Sequence, residues 1–139
     1  MRDWVGDIDP RTGMPLAVEA ASREIIGAAI EVHRNLGPGF LESVYQRALI
    51  HELNLRGLGV RVEVPIVVQY KGLRIEGQRL DVLIDPPGVV IELKAVEKLL
   101  PIHGRQLLSY LKTTGYRLGL LINFNVQLLK QGGLKRIAN

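Results

Sequence analysis

The stretch Arg79-Leu80-Asp81-Val82-Leu83-Ile84-Asp85-Pro86-Pro87-Gly88-Val89-Val90-Ile91-Glu92-Leu93-Lys94 decides the fold. Two runs of strand-forming residues flank a Pro-Pro-Gly turn, so the segment reads as a β-hairpin. A symmetric turn opposes Ile84 to Val89, Val82 to Ile91 and Leu80 to Leu93, and that face is uniformly apolar. The other face opposes Leu83 to Val90, Asp81 to Glu92 and Arg79 to Lys94. Opposed residues of an antiparallel ladder lie about 4.5–5.5 Å apart at Cα, so the Asp81 and Glu92 carboxylates converge. At about 5 Å and an effective dielectric near 20, their repulsion is roughly 3 kcal/mol. Two arrangements relieve it. Arg79 and Lys94 can neutralise the pair in a surface charge cluster, or the carboxylates can share a divalent cation; without one, they titrate as a coupled dyad with one pKa raised.

Upstream, Leu16 to Leu36 places Ile25, Ile26, Ala29, Ile30 and His33 on one stripe at helical spacing. Gly37-Pro38-Gly39 stops that helix, and Leu41, Val44, Tyr45 and Ala48 open a second, which runs to about Gly57. The two are expected to form a helical hairpin. From Val60 the period changes to two, with Val60, Val62, Val64, Ile66 and Val68 alternating and Tyr70-Lys71-Gly72 as a turn. Leu73 to Gly77 and Arg79 to Asp85 follow as short strands divided at Gly77. After Val89 to Ala95 a third helix starts near Pro101, turning Leu107, Leu108 and Leu111 inward. The apolar run Leu118-Gly119-Leu120-Leu121-Ile122 suits a strand buried on both faces, and Leu134 to Ile137 suits an edge strand. The chain therefore divides into a lead-in over residues 1–15 and a single domain over residues 16–139.

With 139 residues, 47% of them hydrophobic and 23% charged, the chain can bury a core of its own. Cysteine is absent, which excludes a disulfide scaffold, a thiolate metal site and a cysteine nucleophile. No apolar run reaches the ~18 residues of a membrane span, and Met1 to Asp7 lack the apolar core of a signal peptide. A cytoplasmic protein without a membrane partner is the expectation. The formal charge of +4 is unevenly spread. Residues 1–97 carry 11 basic and 14 acidic side chains, whereas residues 98–139 carry seven basic and no acidic ones. Such a stretch can offer positive potential to a polyanion, or can be a scatter of solvated charges.

Asp81, followed on the next strand by Glu92-Leu93-Lys94, resembles the Asp and Glu-x-Lys signature of the PD-(D/E)XK nuclease superfamily, although Leu80 stands where the signature has proline. Gly39-Phe40-Leu41-Glu42-Ser43-Val44-Tyr45 is similar to the motif of the GxxExxY protein family, a branch of that superfamily. His33 to Gly39, Gln106 to Lys112 and Gly119 to Phe124 also look like family segments, so the likeness spans about residues 20–137. It implies an α/β fold with a PD-(D/E)XK, restriction-endonuclease-like core: an N-terminal helical hairpin, a central mixed and mostly antiparallel sheet, and a flanking helix.

The resemblance also implies a metal-dependent nuclease acting on nucleic acid, with DNA favoured. Asp81 and Glu92 would bind Mg²⁺ or Mn²⁺ through carboxylate oxygens, and Glu42 would complete or extend the metal site. Lys94 would stabilise charge developing at the phosphate, and Gln106 would orient the attacking water or a phosphate. Tyr45, one turn from Glu42, would brace its carboxylate or touch substrate, and Tyr110 would contact substrate. Arg105 and Lys112, seven residues apart, would line a phosphate-facing ridge. Among the histidines, His33 reads as structural, His51 as a surface residue and His103 as a possible substrate contact. A nucleic-acid-binding module that retains the fold but little or no catalysis is the alternative. Homodimerisation is a further expectation, from the small size of the chain.

Overall fold

A computed structural model describes residues 7–139. Residues 1–6 of the lead-in lie outside the described residues. The order is α1 (Leu16–Leu36), α2 (Glu42–Leu55), β1 (Val60–Tyr70), β2 (Leu73–Ile84), β3 (Val89–Lys94), α3 (Pro101–Thr114), β4 (Leu118–Asn123) and β5 (Leu134–Ala138). The five strands form one sheet in sequence order. Only β3 and β4 pair in parallel. That pairing needs a crossover, which α3 supplies. The α/β architecture, with its N-terminal helical hairpin and mixed, mostly antiparallel sheet, is the one the sequence predicts.

The core side of α1 carries Val18, Ala21, Ile25, Ala28, Ala29 and Val32. This stripe is rotated from the predicted one, and Ile26 and Ile30 are only half-buried at its border. In α2 the buried residues Tyr45, Leu49 and Leu53 recur every four positions. Arg56 closes the hairpin from its far end, with Nε 2.9 Å from Glu52 and Nη1 3.2 Å from Glu24 on α1. The end of the lead-in is also anchored, because Met14 is buried in the core and Asp9 is buried beside Arg11.

Both faces of the sheet are covered around β3 and β4. The hairpin buries Val82, Ile84, Val89, Ile91, Leu93 and alternate residues of β4. The other face buries Ile66, Leu80, Leu83, Val90 and Leu121 under Leu107 and Leu111 of α3. Complete burial of such aliphatic side chains stabilises by about 1.5–3 kcal/mol each. Every residue of β4 is buried, which explains its unbroken apolar run. Leu107 sits so close to Gly119 that a Cβ there would meet three of its carbons at 2.9 Å.

Two sequence expectations are corrected. Gly77 does not divide two strands, because β2 runs through it with φ 111° and absorbs an irregular register opposite Ile66 and Val68. Leu80 does not share a face with Val82. The β1–β2 ribbon keeps its register on both sides of Glu63 and Asp81 but omits that pair, and Glu63 takes φ 51°. The local distortion turns Leu80 and Val64 towards α3, whereas Val82 and Val60 face the helical hairpin.

Candidate active site

The β2–β3 register near the turn is the predicted one, with Ile84 opposite Val89, Leu83 opposite Val90 and Val82 opposite Ile91. Regular pairing ends there. The next backbone groups are served by side chains: Leu93 N–H donates to Asp81 Oδ2 at 3.0 Å, and Asp81 N–H lies 3.4 Å from Glu92 Oε1. Each carboxylate thus meets a backbone donor of the opposite strand where the two strands diverge. Glu92 is 6% exposed and Asp81 is half-buried.

Lys94, the last residue of β3, is opposite Asn123 of β4. Its carbonyl accepts from Phe124 N–H at 3.1 Å. Asn123 is fully buried; its Oδ1 accepts from Val96 N–H at 3.0 Å and its Nδ2 donates to Val96 O at 2.9 Å. These bonds fix the strand end from which the lysine side chain leaves.

Glu42 is the first residue of α2. The loop before it needs positive φ at Gly37 and Gly39, 68° and 111°, values that glycine adopts without a Cβ clash. Tyr45 is fully buried and stacked on Phe124 with ring centroids 4.7 Å apart. Its hydroxyl donates to Gly37 O at 2.6 Å and accepts from Phe40 N–H at 3.1 Å. The predicted substrate contact is therefore corrected: Tyr45 holds the loop that delivers Glu42, and its hydroxyl is committed to backbone rather than to the Glu42 carboxylate. Gln46 and Glu63 have no distinguishing signal in the sequence. Gln46 Nε2 is 3.1 Å from Glu63 Oε1 and 3.4 Å from Asp81 O, and so ties α2 to the distorted point of the ribbon.

From α3, Gln106 Nε2 donates to the Tyr110 hydroxyl at 2.9 Å, and that hydroxyl donates to Gln78 Oε1 of β2 at 2.8 Å. Gln106 and Tyr110 thus stand on the β2 side of α3. Arg105 does not. It lines a groove of about 280 Å³ on the β5 side with Gly104, Leu108, Lys135 and Ile137. Lys112 is exposed about two turns along the same side, so these two cations form a ridge separate from the carboxylates. Leu108 is only half-buried. His103 Nδ1 accepts from Leu100 N–H at 3.0 Å at the start of α3, which gives it a capping role. His33 is structural, with Nε2 2.7 Å from Val126 O, and His51 is exposed.

Burial, and then the neighbouring Asp81 charge, push the Glu92 carboxyl up to about 8. Asp81 is also raised, by burial and by Glu63, against the opposing pull of the Leu93 N–H and Lys94. At the mouth of the site Glu42 is raised by partial desolvation and then by Asp81, and Lys94 opposes this. Tyr110 is raised by desolvation first, and by the charges of Glu92 and Asp81. The environment therefore works against a second negative charge on the buried pair, and a divalent cation reverses that sign. The donor set fits a hard cation that retains most of its water and takes one or two carboxylates. Among the described residues no group of three or more His, Asp or Glu side chains converges as a metal cluster, so the predicted Glu42–Asp81–Glu92 triad is not assembled in this geometry.

Comparison with known proteins bears on the whole arrangement. No curated protein matches the chain. Among solved structures, "Crystal structure of SSO0001" is similar with a TM-score of 0.54 at 21% identity, over 89% of this chain and 61% of that one. The likeness is one of fold, and the chain spans about three-fifths of that protein's length. The model of the PD-(D/E)XK nuclease superfamily matches residues 19–137, a span that holds both sheet faces, the carboxylate pair and Lys94. The chain belongs to the PD-(D/E)XK nuclease superfamily.

Proposed function

We propose that this chain is a metal-dependent nuclease of GxxExxY type that hydrolyses phosphodiester bonds in nucleic acid, with DNA as the favoured substrate. The observation that carries the reading is the Asp81–Glu92 pair at the divergence of β2 and β3, with Glu92 buried, Asp81 half-buried and Lys94 on the same strand as Glu92. Asp81 and Glu92 would hold Mg²⁺ or Mn²⁺, with Glu42 at the mouth extending the negative field towards it. When bound, the cation supplies Lewis acidity at the phosphoryl oxygen and lowers the pKa of a coordinated water.

The chain's own groups do the rest. Lys94 lies two residues beyond Glu92 and shares its side of the strand, from which its ammonium can donate to a non-bridging phosphate oxygen and offset charge gained in the transition state. Gln106, held by the Tyr110 hydroxyl, presents its amide oxygen as an acceptor for the attacking water. The Gln78–Tyr110–Gln106 chain limits the rotamers of that glutamine and so reduces what must be ordered on binding. The basic ridge of Arg105 and Lys112 would add sequence-independent attraction to the backbone of the substrate.

The test is incubation of the full chain with labelled single-stranded, duplex and branched DNA and with RNA, at low salt, with Mg²⁺, Mn²⁺ or chelator. Metal-dependent cleavage that is lost in Lys94→Ala is the expected result. Binding that ignores both metal and Lys94, without cleavage of any substrate, would transfer the reading to a binding module. The absence of a third convergent ligand among the described residues is the observation that favours that second reading.

A further inference from the structure

The outer part of the β1–β2 ribbon projects past the rest of the sheet, because β3 pairs with β2 only at residues 82–84. Val68 pairs with Ile75 and Tyr70 with Leu73, which puts these four on one face. That face is open: Tyr70 and Leu73 are each 60% exposed and Ile75 is 43% exposed. It is continuous with the candidate active site. Ile66, Val68 and Tyr70 follow at two-residue spacing on β1, and Ile66 is opposite Gln78, whose side chain meets Tyr110. The tip is a tight turn with Lys71 at φ 46° and Gly72 at φ 86°, and Lys71 Nζ sits 5.5 Å from the Tyr70 ring centroid. Positive φ at both central residues is the geometry of short hairpin turns that match strand twist, so the tip holds its aromatic ring without further ordering.

We infer that this outer ribbon is a grip for single-stranded nucleic acid, on which Tyr70 stacks a base while Lys71 at the turn and Arg74 on the reverse face contact phosphates on either side of it. The inference rests on the proposed nuclease reading for its substrate class. Charge selects the occupant: over residues 67–79 Lys71, Arg74 and Arg79 face only Glu76, a net charge of +2. Lys71 sits at the turn and Arg74 and Arg79 alternate to the reverse face of the ribbon, so a strand that passes over the tip meets cations on both sides of Tyr70, whereas a second copy docked there would meet like charge around the tip. Exposed aromatic rings beside cations are what a sequence-tolerant nucleic-acid surface needs, since every base has a face to stack. The eight steps from Leu73 to Asp81 span about 26 Å at ~3.3 Å per residue. The tip therefore reaches substrate about 26 Å from the scissile phosphate.

The experiment measures binding by fluorescence anisotropy in chelator, where cleavage cannot interfere, using a labelled 30-nucleotide single-stranded DNA and the full chain, with a 30-base-pair duplex as the comparison in which no base is free to stack. Tyr70→Ala should weaken binding about five- to tenfold and Tyr70→Phe should bind as wild type. Lys71→Ala with Arg74→Ala should lower the slope of log affinity against log salt by about 1.4, as expected for two lost phosphate contacts on a single strand. Circular dichroism melting confirms that each variant is folded. Wild-type affinity and salt slope in all these variants would overturn the grip, as would a wild type with no measurable affinity. So would a multimer that Tyr70→Ala converts to monomer with unchanged DNA affinity, since the face then belongs to a second copy. A parallel Mg²⁺ cleavage assay separates the two readings: cleaving variants with unchanged affinity sink only the grip, and a tightly binding, non-cleaving wild type sinks only the nuclease.

Discussion

Glu92→Gln should make the metal-free protein more stable at alkaline pH, although it removes a charged residue at the centre of the proposed site. In the folded chain the Glu92 carboxyl is raised from 4.5 to about 8 by burial and by Asp81. The folded state then binds more protons than the unfolded state between those two values, so stability falls as pH rises through that window. It is fully present below about pH 4.5 and lost by the time pH passes about 8. At ~1.4 kcal/mol for each tenfold change in proton affinity, the rise is on the order of a few kcal/mol, shared between Glu92 and the neighbouring Asp81. Glutamine keeps an oxygen that can accept from Asp81 N–H and never ionises. Urea unfolding followed by far-UV circular dichroism in chelator, at pH 5 and pH 8.5, gives the comparison. The two proteins should agree within about 1 kcal/mol at pH 5, and the variant should be ahead by several kcal/mol at pH 8.5. Asp9, held down to about 2 by its hydrogen bonds to Arg11, acts only below pH 4, and the raised Asp81 and Glu42 are present in both proteins, so the difference between the two curves reads Glu92 together with its effect on Asp81. A variant less stable than wild type at pH 8.5, or one with the wild-type slope, would refute the account of the pair as a repelling, desolvated dyad.

Divalent metal should act in the same direction as that substitution. Mg²⁺ at a hundred times its dissociation constant should stabilise wild type by about 2.7 kcal/mol at pH 8, read as a rise in melting temperature, and should leave Asp81→Ala unmoved. Tyr45→Phe keeps the stack on Phe124 but strips Gly37 O and Phe40 N–H of their side-chain partner. A loss of about 1–3 kcal/mol in urea is expected, with a drop in cleavage because the loop that places Glu42 is loosened. Gly119→Ala would press a methyl into Leu107 of α3 and should cost about 1–3 kcal/mol by the same measurement, whereas alanine at the exposed Gln131 should cost less than 0.5 kcal/mol. Lys94→Ala should lower the cleavage rate at least a hundredfold and change duplex affinity less than threefold, because its charge is needed mainly in the transition state.

Local rules account for much of the chain. The period of 3.6 gave α1, α2 and α3, Gly37 and Gly39 stopped α1, and the unbroken apolar run of β4 announced a strand covered on both faces. The Pro-Pro-Gly turn set the register from Ile84–Val89 to Val82–Ile91, which puts Asp81 and Glu92 next to each other. The sequence alone therefore determined the order of elements, from their periods and stops, and the carboxylate pair with the lysine beside it, from spacing within one hairpin.

Long-range packing decided the rest. The flip at Glu63 and Asp81 follows from β1–β2 having to cover α3 along one part and the helical hairpin along another, and no period in either strand encodes that. Gln78 and Tyr110 meet across 32 residues, His33 and Val126 across 93, and no local pattern records which face of α3 turns to β2. Tyr45 shows the limit most plainly. Its spacing from Glu42 is the same whether its hydroxyl meets a substrate or a backbone carbonyl, and only the closure of the Gly37–Leu41 loop over Phe124 commits it to the backbone. Spacing along the chain fixes which residues share an element, whereas burial depends on which elements meet, and that is settled by the assembled core.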